Sequence, residues 1–112
     1  MKSSLPLSED KKLAVTFRVE PGCLGPQGKS FIDDFCAFAQ KNVQTLDSDY
    51  VIWNIVPRND KTLPEIEYYV LGKRMNHEQA EKYLSLFSKS LDEFEGHLDD
   101  KLANLIEEFA SY

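Results

Sequence analysis

The chain has 112 residues, a formal net charge of −6 at pH 7, and 42% hydrophobic and 29% charged residues. This length accommodates one small domain, and the composition is that of an ordinary globular protein. Two cysteines are too few for a disulfide scaffold. The sequence has no run of about 18 apolar residues, which excludes a membrane-spanning helix, so we expect no membrane association.

The negative charge is concentrated at the C-terminal end of the chain. Residues 1–75 hold ten acidic and ten basic side chains, whereas residues 76–112 hold nine acidic side chains against three lysines. An acidic surface disfavours contact with a phosphate backbone, so we expect no nucleic-acid partner. Solubility is the ordinary role of such a surface, and the alternatives are binding to a basic protein partner and imitation of nucleic acid.

The N-terminal region predicts a short tail followed by a strand. Residues 1–10 are polar and contain a proline, which favours a flexible tail before a single domain over residues 11–112. This tail has no apolar signal region, which predicts a cytoplasmic protein. The first strand is expected to begin at Lys11 or Lys12, and from Leu13 to Glu20 apolar and polar residues alternate, a pattern typical of a half-buried strand.

A Gly- and Pro-rich loop over residues 21–30 follows this strand and precedes a helix. Gly28, Lys29 and Ser30 resemble the end of a nucleotide-binding P-loop, although that loop needs a glycine where Cys23 stands. Cys23 and Lys29 have the spacing of the cysteine-phosphatase loop, which however requires arginine in place of lysine. The simplest interpretation is a capped helix start, and two alternatives are kept: anion binding at Gly28, Lys29 and Ser30, and a reactive thiol at Cys23.

The middle of the chain predicts a helix and two further strands. With Ser30 as its N-cap, the helix is expected from about Phe31 to Gln44 or Thr45, and Cys36 is expected to be a small buried hydrophobe. The strands are expected from Tyr50 to Val56 and from Glu65 to Leu71. The side chains expected to be buried in the helix are Phe31, Phe35, Phe38 or Ala39, and Val43.

The last segment carries an apolar stripe whose members recur every three or four residues. It predicts a long C-terminal helix over residues 77–111, with Asn76 as N-cap. Gly96 permits a bend or a division into two helices, but the stripe keeps its phase there, which favours one helix. The stripe comprises Ala80, Leu84, Phe87, Leu91, Phe94, Leu98, Leu102, Leu105 and Phe109.

One continuous helix of this length predicts a homodimer. At about 1.5 Å per residue it would be about 50 Å long, whereas a strand of the body spans only roughly 20 Å. About half of the stripe would then need a cover from a second copy of the chain. The expected interface residues are Leu98, Leu102, Leu105, Ile106 and Phe109.

No residue pattern specifies a metal or a cofactor, and we expect neither. His77 and His97 would lie about 30 Å apart on one helix, too far to share an ion. Both are expected at the surface, and the acidic residues between 92 and 100 are expected to be solvated. Trp53, Tyr68 and Tyr69 are expected in the core or an interface.

The element order predicts an α+β fold of β-α-β-β-α type, ferredoxin-like but lacking the fourth strand. The first two strands are expected to be parallel, with the third antiparallel between them and two helices covering one face. Strand one or two would keep an open edge. The predicted function is a non-enzymatic homodimeric interaction or regulatory module acting through the C-terminal helix. The alternatives are the anion or thiol site and an acidic surface that binds a basic partner.

Overall fold

A computed structural model describes residues 7–110, apart from the side chains of Cys23 and Ala110. The α+β class is confirmed, but the described residues form four strands rather than three, with three α-helices. Two 3-10 turns, Glu9–Lys11 and Pro21–Leu24, flank the first strand. The elements are β1 (Leu13–Val19), α1 (Gly28–Val43), β2 (Val51–Pro57), β3 (Ile66–Val70), β4 (Lys73–Met75), α2 (His77–Ser85) and α3 (Leu91–Ala110).

The strand order is β2-β1-β3-β4, with β1 parallel to β2 and antiparallel to β3. The prediction that the third strand lies between the first two is therefore wrong, because β1 occupies that place. Two contacts fasten the entry of β3 to β1: the Arg18 N–H donates to the Glu65 carbonyl at 2.7 Å, and Arg18 Nη1 donates to the Pro64 carbonyl at 2.8 Å. They direct β3 to the side of β1 away from β2.

The unpredicted fourth strand follows a two-residue turn. Leu71 and Gly72 both have positive φ angles, 52° and 79°, and Val70 pairs with Lys73 across them. Positive φ at both central positions is the mark of the tight hairpin turn whose twist suits two antiparallel strands. Because leucine rarely adopts this conformation, the sequence at Leu71 and Gly72 does not predict a hairpin.

One face of the sheet carries the main core. Val15 pairs with Trp53 on one side and Tyr68 on the other, so the three side chains share a face. The Trp53 ring stacks on Phe94 of α3 with centroids 5.3 Å apart. Helix α1 joins the same layer, because Phe35 meets Phe109 edge-on at 5.3 Å. Helices α1 and α3 therefore cover one face of the sheet.

Helix α1 begins earlier than predicted. Its first residue is Gly28 rather than Phe31, and its N-cap is Gln27, without a side-chain hydrogen bond, rather than Ser30. The rotation of the helix also differs, since Ile32 is buried and Phe31 is 44% exposed. Turn hydrogen bonds that precede Ser30 carry the chain into helical geometry, so a side-chain cap is not needed.

Helix α1 also closes part of the outer edge of β2. The Gln40 side chain donates to the Trp53 carbonyl at 2.9 Å and accepts from the Ile55 N–H at 2.6 Å. The Tyr50 carbonyl and the Arg58 N–H form backbone hydrogen bonds with β1. Backbone groups alternate in direction along a strand, so those of the odd-numbered residues between Tyr50 and Arg58 point to the open edge. The side-chain amide of Gln40 therefore makes the two hydrogen bonds that a neighbouring strand would make at the centre of this edge.

The predicted helix over residues 77–111 is wrong as a single element, because it divides into α2 and α3. The Lys89 N–H donates to the Leu84 carbonyl at 3.0 Å, the Ser88 N–H donates to the Ser85 carbonyl at 3.1 Å, and Ser88 has a φ of 59°. This is the Schellman arrangement that ends helices. The break does not occur at Gly96, which lies inside α3.

The division removes the overhang on which the homodimer prediction depends. Leu98, Leu102 and Leu105 are 2%, 9% and 1% exposed and belong to the core of their own chain. Ile106 and Phe109 are partly buried against the same core. Among the described residues, none of the helices combines the length and apolarity needed to cross a bilayer.

The N-terminal tail was predicted over residues 1–10, of which 1–6 lie outside the described residues. Leu7 is 9% exposed, and its N–H donates to the Asp49 carbonyl at 2.8 Å. The Tyr83 hydroxyl of α2 donates to the Lys11 carbonyl. Residues 7–11 are therefore part of the packed domain.

Candidate functional site

Helix α3 has one face in the core and one acidic face toward solvent. Lys101 is its one basic residue against seven acidic ones. The acidic side chains that are exposed are Asp92, Glu93, Asp99, Asp100, Glu107 and Glu108. The helix therefore presents concentrated negative charge, as the sequence predicted.

A groove of about 290 Å³ lies where α3 meets the end of β1. Most of its floor is well buried, so the apolar surface open to a ligand comes from Phe17, Ala103 and Ile106. A groove of this size accommodates one or two apolar side chains rather than a large cofactor. Its apolar lining consists of Phe17, Val19, Phe35, Leu102, Ala103 and Ile106.

Three carboxylates stand around this apolar lining. They come from Glu20 after β1, Glu65 before β3 and Asp99 of α3. Glu20 accepts a hydrogen bond from Arg58 Nη1 at 2.7 Å. Glu65 and Asp99 make no ion pair with any residue that the structure describes. The groove therefore combines apolar surface with an acidic rim.

The predicted interface residues fall in three places around this groove. Leu102 and Ile106 line it. Leu98 and Leu105 lie in the core and do not line it. Phe109 packs its ring against Phe35 at 5.3 Å and against the ring of Phe38 at 5.7 Å. Of the predicted interface residues, Ile106 and Phe109 are thus the two that remain partly exposed.

The predicted anion site at Gly28, Lys29 and Ser30 is the first turn of α1. The N–H groups of Gly28 and Ser30 already donate to the carbonyls of Gly25 and Gln27, each at 3.0 Å. A side chain at Gly28 would collide with the Pro21 carbonyl, so close packing explains this glycine. Two of the three backbone donors expected to hold an anion are thus occupied.

Lys29 contributes instead to a second groove, of about 570 Å³, beside Arg58 and Lys61. Glu20 and Asp33 line the same groove, so its charge is mixed. Arg58 Nη2 donates to the carbonyls of Lys61 and Leu63 at 3.4 and 3.2 Å, which holds the loop before β3. The mixed charge of this groove adds no support for anion binding at Lys29, which stays a prediction.

The two cysteines occupy different environments. The backbone of Cys23 lies in the 3-10 turn Pro21–Leu24, and its side chain, with the predicted reactive thiol, lies outside the described residues. Cys36 is a free thiol, 5% exposed, as expected of a small buried hydrophobe. Burial, followed by the negative charge of Asp33, raises the pKa of Cys36 to about 11. Cys36 is therefore protonated and unreactive at neutral pH.

One group of metal-type side chains was missed by sequence reasoning. His77, Asp92 and Glu95 approach one another where α2 and α3 begin. On one continuous helix His77 and Asp92 would have been about 23 Å apart. The signal that could have found them is Ser90 followed by Glu93, a helix-start pattern: the Ser90 hydroxyl accepts from the Glu93 N–H at 3.3 Å.

Comparison of the chain with protein-family models, curated proteins and solved structures finds no match. A function is therefore inferred from the groove, its charges and the side chains around it.

Proposed function

We propose that the chain is a non-enzymatic interaction module that binds a basic segment of a protein partner. An apolar side chain of that segment enters the groove beside α3, and flanking lysine or arginine residues meet the acidic rim. The observation that carries this proposal is that the open apolar surface of Phe17, Ala103 and Ile106 lies in the same groove as two carboxylates. These carboxylates belong to Glu65 and Asp99. Apolar burial supplies affinity, and the charges supply orientation and selectivity.

A basic partner suits this surface better than a second copy of the chain. The net charge of −6 belongs to residues 76–112, so two copies joined through α3 would bring like charges together. The core already covers Leu98, Leu102 and Leu105, which reduces the apolar area that a copy could bury. The edge of β2 is also partly closed by Gln40.

The proposal is tested with short peptides that carry one Leu or Phe between pairs of Lys or Arg. Isothermal titration is expected to give one site with a Kd on the order of tens of micromolar, as for a small transient interface. Affinity should fall as salt is raised from about 0.1 M to about 1 M, where the screening length shrinks from roughly 10 to 3 Å. Peptides with Glu in place of the bases are expected not to bind.

Two neighbouring positions of α3 give a matched pair of variants. Ala103 is exposed and lines the groove, whereas Asn104 is exposed and lies outside it. Ala103→Lys should weaken peptide binding about tenfold or more, because it both fills the groove and adds positive charge; Asn104→Lys, with the same added charge, should weaken it less than about threefold. Equal losses in both variants would indicate a diffuse charge effect and overturn the groove. Light scattering on the free chain distinguishes a homodimer, the competing outcome.

A further inference from the structure

We propose that His77, Asp92 and Glu95 bind one zinc ion at the junction of α2 and α3. One donor atom from each side chain lies within 4.8 Å of the other two. His77 is the first residue of α2, and Asp92 and Glu95 lie three residues apart near the start of α3. Residues three apart share one helix face, so both carboxylates approach the imidazole from the same side.

The spacing of the donors suits a shared ion. His77 Nε2 lies 3.5 Å from Glu95 Oε1. Zinc binds imidazole nitrogen and carboxylate oxygen at about 2.0 to 2.2 Å, so two ligands at the tetrahedral angle lie about 3.4 Å apart. These two side chains therefore need almost no movement, and a modest rotation of Asp92 completes a three-ligand site.

A buried tyrosine orients one of the ligands. The Tyr68 hydroxyl donates to Glu95 Oε2 at 2.7 Å, while the other oxygen of Glu95 lies toward His77. Tyr68 is 4% exposed on β3, so the donor that holds Glu95 is itself fixed by the core. Such a second layer of hydrogen bonds holds metal-binding carboxylates in place.

The donor set selects among metals. One imidazole with two carboxylates suits zinc, whereas Mg²⁺ and Ca²⁺ prefer all-oxygen sites. His77 and Asp92 are exposed, so the ion reaches the site without local unfolding and keeps a coordination position for water. Since the ligands come from both sides of the break at residues 86–90, the ion would hold the start of α2 to the start of α3 and stabilise the fold.

The test uses the full chain freed of metal and titrated with ZnCl₂ by calorimetry, and with CoCl₂ by visible absorption. We expect one ion per chain, a visible cobalt band of tetrahedral intensity, and a higher Tm with zinc. Millimolar Mg²⁺ should neither bind nor compete. His77→Ala and, separately, Asp92→Asn should weaken zinc binding about 100-fold, and Tyr68→Phe about tenfold. Absence of saturable zinc binding at 1 mM would overturn the site.

The other histidine of the chain, His97 of α3, supplies the matched control. His97 is also exposed and faces a single carboxylate, Asp47, at 3.1 Å. His97→Ala should leave zinc affinity within about twofold of the wild type, and an equal loss in His97→Ala and His77→Ala would overturn the assignment. Circular dichroism verifies that each variant is folded. Binding of the basic peptides should be unchanged in His77→Ala, so failure of either proposal is recognised separately.

Discussion

Glu67 is the single buried charged residue among those that the structure describes, with 6% exposure. It alternates with Tyr68 on β3 and so lies on the face opposite the main core. Its carboxylate pairs with Arg18, lies 3.2 Å from Arg74 Nε and accepts from the Tyr69 hydroxyl at 3.1 Å. Burial alone would raise the pKa of Glu67, but these hydrogen bonds and positive charges outweigh it and lower that pKa.

The lowered pKa makes stability depend on pH with a definite sign. The folded-state pKa of Glu67 lies below the unfolded value of about 4.3, so its contribution is present above that pH and is lost as the pH falls through the folded-state pKa. Glu67→Gln should lower the free energy of unfolding by about 3 kcal/mol at pH 7, because Arg18 loses its partner. Urea denaturation at pH 7 and pH 3 should show this difference shrinking at the acid end.

Arg74→Ala is the control for this prediction, because the Arg74 side chain is 61% exposed. A solvated ion pair contributes little, so the loss should stay under about 1 kcal/mol. An equal loss for Glu67→Gln at both pH values would contradict the electrostatic explanation.

Two helical glycines are expected to respond in opposite directions to alanine. At Gly28 an added Cβ meets the backbone carbonyl of Pro21, whereas at Gly96 it meets no atom within 4 Å. Gly28→Ala should therefore destabilise the fold by about 2 kcal/mol. Gly96→Ala should stabilise it by about 1 kcal/mol, since alanine favours a helix interior. Thermal unfolding of the pair verifies both signs, and a stabilised Gly28→Ala would contradict the packing role of Gly28.

At the scale of elements, the end of α2 carries backbone strain. Ser88 holds a φ of 59° at the position that glycine usually occupies in this type of helix end. Ser88→Gly should raise the free energy of unfolding by about 1 kcal/mol, because glycine adopts the left-handed region without steric cost. Glu81→Gly, at an exposed interior position of α2, should lower it by a similar amount. Destabilisation by Ser88→Gly in urea titrations would show that the break lies elsewhere.

Gln40 is expected to protect the edge of β2. Gln40→Ala leaves the Trp53 carbonyl and the Ile55 N–H without their partner, so it should cost about 1 to 2 kcal/mol. The opened apolar edge should also associate in a concentration-dependent way, visible by analytical ultracentrifugation. Gln44→Ala, at the C-cap of α1 and exposed, is the control and should remain monodisperse. An unaltered sedimentation profile for Gln40→Ala would count against this role.

The sequence predicts the strands better than the C-terminal helices, for a physical reason. The alternation from Leu13 to Glu20 has one structural solution, and β1 covers Leu13–Val19 of it, one or two residues shorter at each end than predicted. The apolar stripe after Asn76 has two solutions, because a helix pair that keeps its phase across a turn buries the same residues as one long helix. Whether one helix or two helices form depends on Ser88, which ends α2 without a glycine, and on Ser90, whose helix-start pattern is weak.

The candidate site was predictable in charge but not in shape. The acidic excess after Asn76 follows from composition alone and corresponds to the solvent face of α3. The groove could not be foreseen, because Phe17, Glu65 and Ile106 meet only once β3 pairs with β1 and α3 folds back. The same folding brings His77 to Glu95.

At the scale of the whole molecule, residues 7–110 bury most of the apolar face of α3 and leave an open groove with an acidic rim beside it. The core takes in the inner face of α3, while the acidic face remains in water. Like charges discourage self-association through that face, and opposite charges would attract a partner. These features support the proposal that the molecule recognises a basic, apolar-anchored segment.

An NMR titration of the ¹⁵N-labelled chain with the Leu-centred Lys peptide tests this account most directly. The account predicts saturable shifts clustered around the groove and weakened by about 1 M salt. Shifts that cluster instead along the outer edge of β2, or no shifts at millimolar peptide, would contradict it. The amides expected to shift most are those of Phe17, Glu20, Glu65, Asp99, Ala103 and Ile106.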